Sequence, residues 1–439
     1  MNQTYDVIVI GSGPGGLAAA IAAKQNGAEK VLIIERDMEP GGILLQCIHN
    51  GFGLETFKED LPGPGYAQRF IDEARTLGIT WLLDTMVLDI ASPQMAVTQP
   101  KTVAAAVDHT LYVTSRVHGC RELHARAIIL AMGCRERTRA QIRLPGGRPA
   151  GVFTAGTAQR WVNVEGFMPG KRFVILGSGD IGMIMARRLT FEGAKVERVL
   201  EVMPYLTGLS RNYVQCLLDF DIPLQLRRTV KRILGDKRVE AIESVQVDER
   251  WKLIPGTEEV IPCDTLLLSV GLIPENELSL KMGAPLDPVT GGPFVDEGYQ
   301  TRIPGIFAAG NVVHVYDLVD WVTQAGRTAG KRAAAQIAQG APTALPGIPT
   351  QAGQNVRYVV PHRVNPETLT QEPVVLQMRV TQPLEQPVWV EVHDGEHLIT
   401  RKTERYARPG EMVSIPLRER DYDAVRAAKT LAVSVTAKA

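Results

Sequence analysis

A glycine turn between an apolar strand and a helix limits the possible folds of this 439-residue sequence more than any other stretch. The apolar run 7–10 is followed by Gly11, Gly13 and Gly16 in the spacing G-x-G-x-x-G. These glycines allow a tight turn, a close approach of the backbone to a pyrophosphate, and close helix–strand packing. The next strand ends at Glu35, 19 residues after Gly16, near the spacing expected of an acid that binds a ribose hydroxyl. The stretch therefore predicts a dinucleotide site.

The same pattern occurs a second time. The apolar run 173–176 precedes Gly177, Gly179 and Gly182, and a second strand then ends at Glu201. The acid again lies 19 residues after the last glycine. Two copies with the same acid spacing predict two nucleotide-binding folds in one chain.

Composition and charge exclude several classes of partner. The 48 Lys and Arg residues balance 48 Asp and Glu residues, so nothing indicates a nucleic-acid partner or an anionic membrane surface. No apolar run approaches the roughly 18–20 residues of a membrane span, and the N-terminus lacks the basic region of a signal peptide. The five cysteines, at 47, 120, 134, 216 and 263, have no metal-binding spacing. We expect a reducing cytoplasm, no metal site, and no iron–sulfur cluster carried by this chain.

The order of elements predicts an α/β fold with two Rossmann-like dinucleotide-binding domains, the second inserted in the first, and a small C-terminal β-sandwich-like domain. The pattern predicts helices near 66–78 and 319–339 and antiparallel β excursions over 95–118. The expected boundaries are 1–150 and 263–340 for the first domain, 151–262 for the second and 341–439 for the C-terminal domain.

The C-terminal region changes in composition. Pro342, Pro346 and Pro349 predict a linker, and Asp394-Gly395 is typical of a hairpin turn. Short alternating strands are predicted at 356–360, 374–380, 388–392, 397–402, 412–417 and 431–435. Since no catalytic set is visible there, a docking or capping role is the expectation.

The segment after Gly41-Gly42 contains candidates for chemistry. Gln46, Cys47 and His49 lie close together, with Asn50 beside them. One or two of them are candidates for a chemical role, while packing and loop hydrogen bonding are equally good explanations for any single residue. Cys47 has no partner in a C-x-x-C or C-x4-C spacing, so a buried, inert thiol is favoured over a reactive one. His314 is another candidate proton donor, and Asp317 or Asp320 is expected to cap the helix that follows.

The two glycine motifs, Gly41-Gly42, the turn 131–133 and the stretch 305–311 resemble the pyridine nucleotide–disulfide oxidoreductases, a family with two dinucleotide folds. The resemblance covers residues 1 to about 340 and implies FAD on the first fold and NAD(P)H on the second. It implies that the FAD site comprises Gly11, Gly13, Pro14, Gly16, Glu35, Arg36, Gly42, Val87, Ala131, Gly133, Gly310 and Asn311. It implies that the nicotinamide nucleotide site comprises Gly177, Gly179, Asp180, Ile181, Gly182, Glu201 and Gly271.

Two departures from the family pattern matter. The redox cysteine pair is missing, so disulfide reduction is not expected. The family's Gly-Asp at the flavin ribityl chain is Gly310-Asn311 here, which predicts a modest change in flavin potential. In the second fold, Arg198 or Arg211 could bind a 2′-phosphate, but Glu201 would repel it, which favours NAD over NADP.

Four further stretches, 41–54, 133–137, 151–159 and 310–320, are similar to flavoproteins that accompany bacterial glycerol-3-phosphate dehydrogenases. They are also similar to flavoprotein subunits of opine oxidases and hydrogen cyanide synthase. Residues 355–361 and 408–412 extend this similarity to the C-terminal region. The resemblance implies an electron-transfer subunit that passes a hydride between NAD(H) and FAD. Its implied partners are a second dehydrogenase subunit, a small iron–sulfur protein, or both. Assembly of this chain into a homo-oligomer is a further alternative.

Three alternatives remain at this point. One is a subunit of an amino-acid, opine or glycerol-3-phosphate type dehydrogenase whose second fold does not use NAD. Another is a single-cysteine peroxide or disulfide reductase that uses Cys47. The third is a non-enzymatic scaffold that holds nucleotides and docks through its β-rich tail.

Overall fold

The computed structural model describes residues 4–92, 108–340 and 347–438. The chain divides into two compact units, one spanning Met1–Cys134 with Pro274–Ala439 and the other spanning Arg135–Ile273. The domain boundaries expected from the sequence stay a proposal.

The elements are numbered in chain order. The strands are β1 Thr4–Ile10, β2 Val31–Ile34, β3 Thr80–Leu82, β4 Thr85–Ala91, β5 His109–Ser115, β6 Gly119–Leu130, β7 Cys134–Glu136, β8 Val152–Thr154, β9 Arg172–Leu176, β10 Lys195–Glu201, β11 Leu224–Leu226, β12 Arg228–Leu234, β13 Ala241–Gln246, β14 Glu259–Pro262, β15 Thr265–Leu268, β16 Leu272–Pro274, β17 Ile306–Ala308, β18 Ile348–Ala352, β19 Val356–Val360, β20 Arg363–Val364, β21 Val374–Val380, β22 Val388–Asp394, β23 His397–Glu404, β24 Val413–Leu417 and β25 Leu431–Ala437. The α-helices are α1 Pro14–Gln25, α2 Gly63–Thr76, α3 Ala155–Arg160, α4 Asp180–Phe191, α5 Ser210–Cys216, α6 Glu277–Lys281, α7 Val319–Gln339 and α8 Tyr422–Ala427.

The first unit is built on a sheet with the strand order β3-β2-β1-β6-β5-β4, and β17 pairs with the C-terminal part of β6. Strands β3, β2, β1, β6 and β17 run parallel, whereas β5 and β4 are antiparallel additions. Ile10 lies opposite both Ile34 and Leu130, so three strands end at the same edge of the sheet. This is the edge at which open α/β sheets bind ligands.

The core of this unit follows from its apolar runs. Residues 7–10 of β1 are at most 5% exposed, as expected of a central parallel strand. Leu17 of α1 and Ala325 and Ala329 of α7 are buried in one cluster on the same side of the sheet. The predicted helices near 66–78 and 319–339 are confirmed as α2 and α7.

The second unit repeats the plan with a parallel sheet of order β11-β10-β9-β15-β8 and an antiparallel meander β12-β13-β14. Leu176 lies opposite both Leu200 and Leu268, so this sheet also has three strands that end together. The predicted α/β fold with two Rossmann-like sheets is confirmed.

The C-terminal part contains two sheets, β20-β18-β25-β22-β23 and β19-β21-β24. Buried side chains of both, such as Val390 and Leu376, share one apolar cluster. All six strands predicted from the sequence are confirmed, but β18, β20 and α8 were missed. Pro349, expected in a linker, lies in β18, while Pro342 and Pro346 lie outside the described residues. The excursions predicted over 95–118 are confirmed from residue 109 by β5, which pairs antiparallel with β6, and residues 95–107 lie outside the described ranges.

Candidate nucleotide sites

The first glycine turn has the close contacts that the motif requires. Gly11 has φ +100°, and a Cβ there would lie 2.5 Å from the carbonyl oxygen of Ala131. A Cβ on Gly16 would collide with the carbonyl oxygen of Gly11, so α1 can pack this closely only with glycine there. By contrast, a Cβ on Gly13 would meet nothing within 4 Å. The turn is therefore open at Gly13, where a pyrophosphate is expected to approach.

The helix behind this turn presents its first N–H groups to the same space. Helix α1 begins with Pro14, and no side chain caps it. Uncapped N–H groups at a helix start carry a partial positive charge and are suited to bind phosphate. This arrangement fits the diphosphate of a dinucleotide.

Glu35 is held in place by Ser12 of the glycine turn. Its carboxylate is 6% exposed and accepts hydrogen bonds from the backbone N–H and the hydroxyl of Ser12 at 2.8 and 2.6 Å. The N–H of Asp37 donates to its other oxygen at 2.9 Å. The N–H of Gly41 in turn donates to the hydroxyl of Ser12 at 3.1 Å. The sequence reasoning missed Ser12, although the middle serine of both G-S-G motifs was a visible signal.

Glu201 has the same environment in the second unit. It accepts from the N–H and the hydroxyl of Ser178 at 2.8 and 2.7 Å, and from the N–H of Met203 at 2.9 Å. The hydroxyl of Thr207 adds a further bond at 2.9 Å, and its N–H donates to the hydroxyl of Ser178 at 3.1 Å. Ser178, Glu201 and Thr207 thus correspond to Ser12, Glu35 and Gly41.

The second turn differs from the first at one position. Where Pro14 begins α1, Asp180 begins α4. Its carboxylate oxygen Oδ1 accepts from the N–H of Leu209 at 2.8 Å and from the side-chain amide of Asn212 at 2.7 Å. These bonds hold residues 209–212 against the glycine turn, with a negative charge in the first turn of α4. The neighbouring Gly182 donates its N–H to the hydroxyl of Ser269 at 3.1 Å.

Most of the residues expected to bind FAD lie around the C-terminal edge of the first sheet. The Gly41-Gly42 loop lies on the glycine turn, since a Cβ on Gly42 would be 2.9 Å from the Cα of Gly13. The N–H of Ala131 donates to the carbonyl of Ile10 at 2.9 Å, and Gly133 follows two residues later. Arg36 is exposed after β2, and Val87 is buried in β4 beside a register shift between 87 and 89.

Asn311 lies in a short 3-10 turn, Gly310–Val312, after β17. Its carbonyl Oδ1 accepts from the N–H of Tyr316 at 3.0 Å, and its amide Nδ2 donates to the sulfur of Cys134 at 3.6 Å. Since a backbone N–H can only donate, the amide orientation of Asn311 is set by Tyr316.

In the second unit, the remaining predicted residues lie near the glycine turn or after β15. Ile181 is half-buried in α4, next to Asp180. Gly271 lies two residues after Ser269, which follows β15, and its carbonyl accepts from the N–H of Arg137 at 3.0 Å.

The candidates for chemistry are spread over different surroundings. Gln46 is 7% exposed and ends the 3-10 helix Gly42–Gln46. Cys47 is half-buried, its thiol donates to the carbonyl of Ile43 at 3.3 Å, and burial raises its pKa to about 12. His49 lies in the loop that follows, with its Nδ1 2.9 Å from the carbonyl oxygen of Asn50. Their roles stay predictions.

His314 lies in the interior of the first unit. It is 1% exposed, its ring lies 4.2 Å from that of Tyr316, and its Nδ1 is 3.4 Å from the hydroxyl of Tyr358. Burial lowers its pKa to about 3, so the imidazole is neutral at physiological pH. A neutral, enclosed imidazole suits a positioning role better than proton donation, and its assignment as a donor stays a prediction.

The expectation that Asp317 or Asp320 caps α7 is wrong, because the N-cap residue is Leu318. Both carboxylates serve other segments. Asp317 accepts from the N–H of Met412 at 2.8 Å, and Asp320 accepts from the N–H of Thr56 at 2.8 Å.

Two negative findings concern the described residues. Among residues 4–92, 108–340 and 347–438, no group of three or more His, Cys, Asp or Glu side chains could hold a metal ion. None of the helices in those ranges is long and apolar enough to cross a membrane.

The family model of the pyridine nucleotide-disulphide oxidoreductases matches residues 5–357. This chain belongs to that family. Family members bind FAD and use NAD(P)H, so these are its cofactors. The open side at Gly13, the uncapped start of α1 and the buried acid Glu35 fit the diphosphate and a ribose of FAD.

Among curated relatives, an opine oxidase subunit from Agrobacterium tumefaciens (strain Ach5) is 28% identical over 334 residues, which cover 71% of this chain and 62% of that protein. The chain therefore spans less than two thirds of that relative. Thioredoxin reductase of Listeria innocua is 26% identical over 314 residues, covering 71% of this chain and 86% of that protein. Among solved structures, T. acidophilum thioredoxin reductase has a TM-score of 0.61 at 23% identity and covers 77% of this chain and all of its own. That likeness shows a shared fold.

Proposed function

We propose that this chain passes a hydride between NAD(H) and FAD as the electron-transfer subunit of a multi-subunit dehydrogenase. The observation that carries the proposal is the duplicated contact between serine and glutamate. Glu35 and Glu201 each accept two hydrogen bonds from a serine of their own glycine turn. A buried, oriented carboxylate at this position is what a ribose diol requires. The chain thus has two sites of matched construction, one for each dinucleotide.

In this proposal, the first unit binds and orients FAD. Gly13 and the start of α1 would hold its diphosphate, Glu35 a ribose, and Gly310 and Asn311 the flavin side. The same roles in the second unit fall to Gly179, the start of α4 and Glu201. The two cofactors, when bound, supply the hydride chemistry, and the protein contributes orientation and electrostatics.

The second site is proposed to prefer NAD over NADP. Glu201 would repel a 2′-phosphate, because its carboxylate lies at the expected ribose position. Arg198 is not expected to bind the 2′-phosphate, because its guanidinium already pairs with the carboxylate of Glu259 at 2.7 Å. Arg211 is exposed at the start of α5 and stays the one alternative that the sequence suggested.

We further propose that the electrons leave or enter through a second dehydrogenase subunit, a small iron–sulfur protein, or both. The opine oxidase relative is named as one subunit of its enzyme, which supports an assembly of more than one chain. Scattered cysteines without disulfide-type or metal-type spacing support a reducing cytoplasm as the setting.

A second candidate function is a subunit of an amino-acid, opine or glycerol-3-phosphate type dehydrogenase whose second fold does not use NAD. One observation favours it. Asp180 adds a negative charge to the helix start that would bind a diphosphate, whereas the first fold has uncharged Pro14 there.

An anaerobic titration of the flavin-loaded protein with NADH, followed by flavin absorbance, distinguishes the two functions. Bleaching at near-stoichiometric NADH is expected for the first. If neither NADH nor NADPH bleaches the flavin, the hydride-transfer proposal is wrong. Bleaching by an amino acid, an opine or glycerol 3-phosphate added alone would then support the second.

A further inference from the structure

The two C-terminal sheets, β20-β18-β25-β22-β23 and β19-β21-β24, form what we call the C-terminal sandwich, residues 347–438. Residues of this sandwich contact the short loop that carries Asn311. This loop, residues 310–317, connects β17 to α7. We refer to it as the 310–317 loop. The sequence predicted only a docking or capping role for the C-terminal region, and its contacts with this loop suggest a more specific role.

Two polar contacts from the sandwich hold the end of the loop. The N–H of Met412 donates to the carboxylate of Asp317 at 2.8 Å. The guanidinium of Arg379 donates one hydrogen bond to the carbonyl of Val315 and another to the carbonyl of Pro409, each at 3.1 Å. Arg379 thereby ties the loop and the sandwich together, because its planar guanidinium can donate to two carbonyls at once.

Aromatic packing holds the middle of the loop. Tyr358 of β19 lies edge-on to the ring of His314, with the ring centroids 5.6 Å apart. The hydroxyl of Tyr316 lies 3.1 Å from that of Tyr299. His314, Tyr316 and Tyr358 are 1%, 7% and 8% exposed. Closely packed interior side chains have few alternative positions, so this part of the loop is tightly constrained.

The constraint reaches Asn311 directly. Tyr316, which is packed against His314, donates its N–H to the Oδ1 of Asn311 at 3.0 Å. The opposite side of that amide faces the sulfur of Cys134, which follows Gly133. A shift of the loop that moves the N–H of Tyr316 would therefore remove the hydrogen bond that orients the side chain of Asn311.

We propose that the C-terminal sandwich is a cofactor-positioning domain that sets the conformation of Asn311 for FAD through Arg379, Tyr358 and the backbone of Met412. Arg379 is then a positioning residue for the flavin site. This inference rests on the proposed placement of the flavin side of FAD at Gly310 and Asn311. It assigns the sandwich a role within this chain, distinct from docking another protein.

The test measures FAD affinity in four full-length variants. Asp317→Ala removes the hydrogen bond from Met412 by changing the loop, and Arg379→Met removes the hydrogen bond to Val315 by changing the sandwich. Asp317→Asn keeps an oxygen that accepts from the N–H of Met412 and is the conservative variant. Thr368→Val is the matched control. It removes hydrogen bonds from Thr368 to Glu297 and from Arg332 to Thr368, which join the same parts of the unit away from the loop.

Flavin-free protein is titrated with FAD at a temperature well below unfolding, and flavin fluorescence, visible circular dichroism and Tm are recorded. Asp317→Ala and Arg379→Met should raise the Kd for FAD by about tenfold and change the flavin circular dichroism, as expected when a hydrogen bond to a charged group is lost. Asp317→Asn and Thr368→Val should keep the Kd within about twofold of wild type, even where Tm falls.

Unchanged FAD affinity and spectrum in both Asp317→Ala and Arg379→Met would overturn the inference. An equal loss of FAD affinity in Thr368→Val would also overturn it, because general loosening of the sandwich would then explain the effect. If Asp317→Ala does not fold, the comparison of Arg379→Met with Thr368→Val decides the question. Failure of the NADH titration with a normal FAD Kd would contradict the proposed function and leave this inference standing.

Discussion

The hydroxyl of Ser178 donates to the carboxylate of Glu201 across 2.7 Å, although 23 positions separate the two residues. Ser12 and Glu35 repeat the contact at 2.6 Å with the same separation. Each serine thus connects a glycine turn to the acid at the end of the neighbouring strand. In both units the acid is oriented by contacts within the protein itself, and such preorganisation reduces the entropy lost on binding.

Removing either serine hydroxyl should weaken only one cofactor. Ser12→Ala should raise the Kd for FAD and leave that for NADH unchanged, whereas Ser178→Ala should do the reverse. A lost hydrogen bond is worth about 0.5–1.5 kcal/mol, so each effect should be about two- to twelvefold. Flavin fluorescence for FAD and calorimetry for NADH measure the two constants, and each variant serves as the control for the other. Equal effects of one variant on both cofactors would contradict the assignment of separate sites.

Neutralising Asp180 should tighten NADH binding. Asp180→Asn keeps an oxygen to accept from Leu209 and Asn212 but removes the negative charge at the start of α4. A charge at a helix end is worth about 0.3–1 kcal/mol, so the Kd for NADH should fall by about two- to fivefold. Asp180→Ala loses the hydrogen bonds as well and should bind more weakly than Asp180→Asn. Calorimetry with NADH ranks the three proteins, and a weaker Asp180→Asn would show that the charge itself assists binding.

Cys47 should be chemically inert near neutral pH. Burial raises its pKa to about 12, so at pH 8 almost none of it is thiolate, the form that reacts. Cys120 is exposed on β6 and provides an internal reference. Iodoacetamide should label Cys120 well before Cys47, as measured by peptide mass spectrometry. The Cys47→Ser variant should keep the rate at which NADH reduces the flavin. Loss of turnover in Cys47→Ser would revive the single-cysteine reductase alternative.

Asp296 should make stability depend on pH near neutrality. Desolvation, with the nearby charge of Glu297, raises its pKa from 3.8 to about 7. The folded state holds the proton of Asp296 more tightly than the unfolded state does, so the protonated carboxyl group contributes to the free energy of unfolding. This contribution is fully present below pH 3.8 and is lost as the pH rises through about 7.

The matched variant is Asp296→Asn, which can still accept from the N–H groups of Gly298 and Gln300. Between pH 5 and pH 8, the Tm of wild type should fall relative to that of the variant by a few degrees. Scanning calorimetry of both proteins over that range gives the difference. Parallel Tm curves would show that the pKa of Asp296 is not raised in the folded protein.

Local sequence patterns predicted the main elements because each has a strong local signal. The apolar run before Gly177 and the acid at Glu201 identified β9, β10 and the turn between them. Alternating apolar residues identified the six C-terminal strands. The prediction for Asp317 and Asp320 was wrong because an acid near a helix start can serve a distant backbone N–H as well as its own helix. Pro349 was assigned to a linker because proline is rare within strands, yet it lies in β18.

Local spacing was enough to predict two glycine turns in this chain, each followed by an acid at the same distance, because turn geometry and strand length set those spacings locally. The surroundings of His314 and the groups that hold the 310–317 loop depend instead on tertiary packing. Asp317 and Met412 are 95 positions apart, and Arg379 reaches Val315 across 64. Contacts between such distant residues depend on how the sheets and loops pack, and no periodicity or motif in one stretch of sequence encodes them.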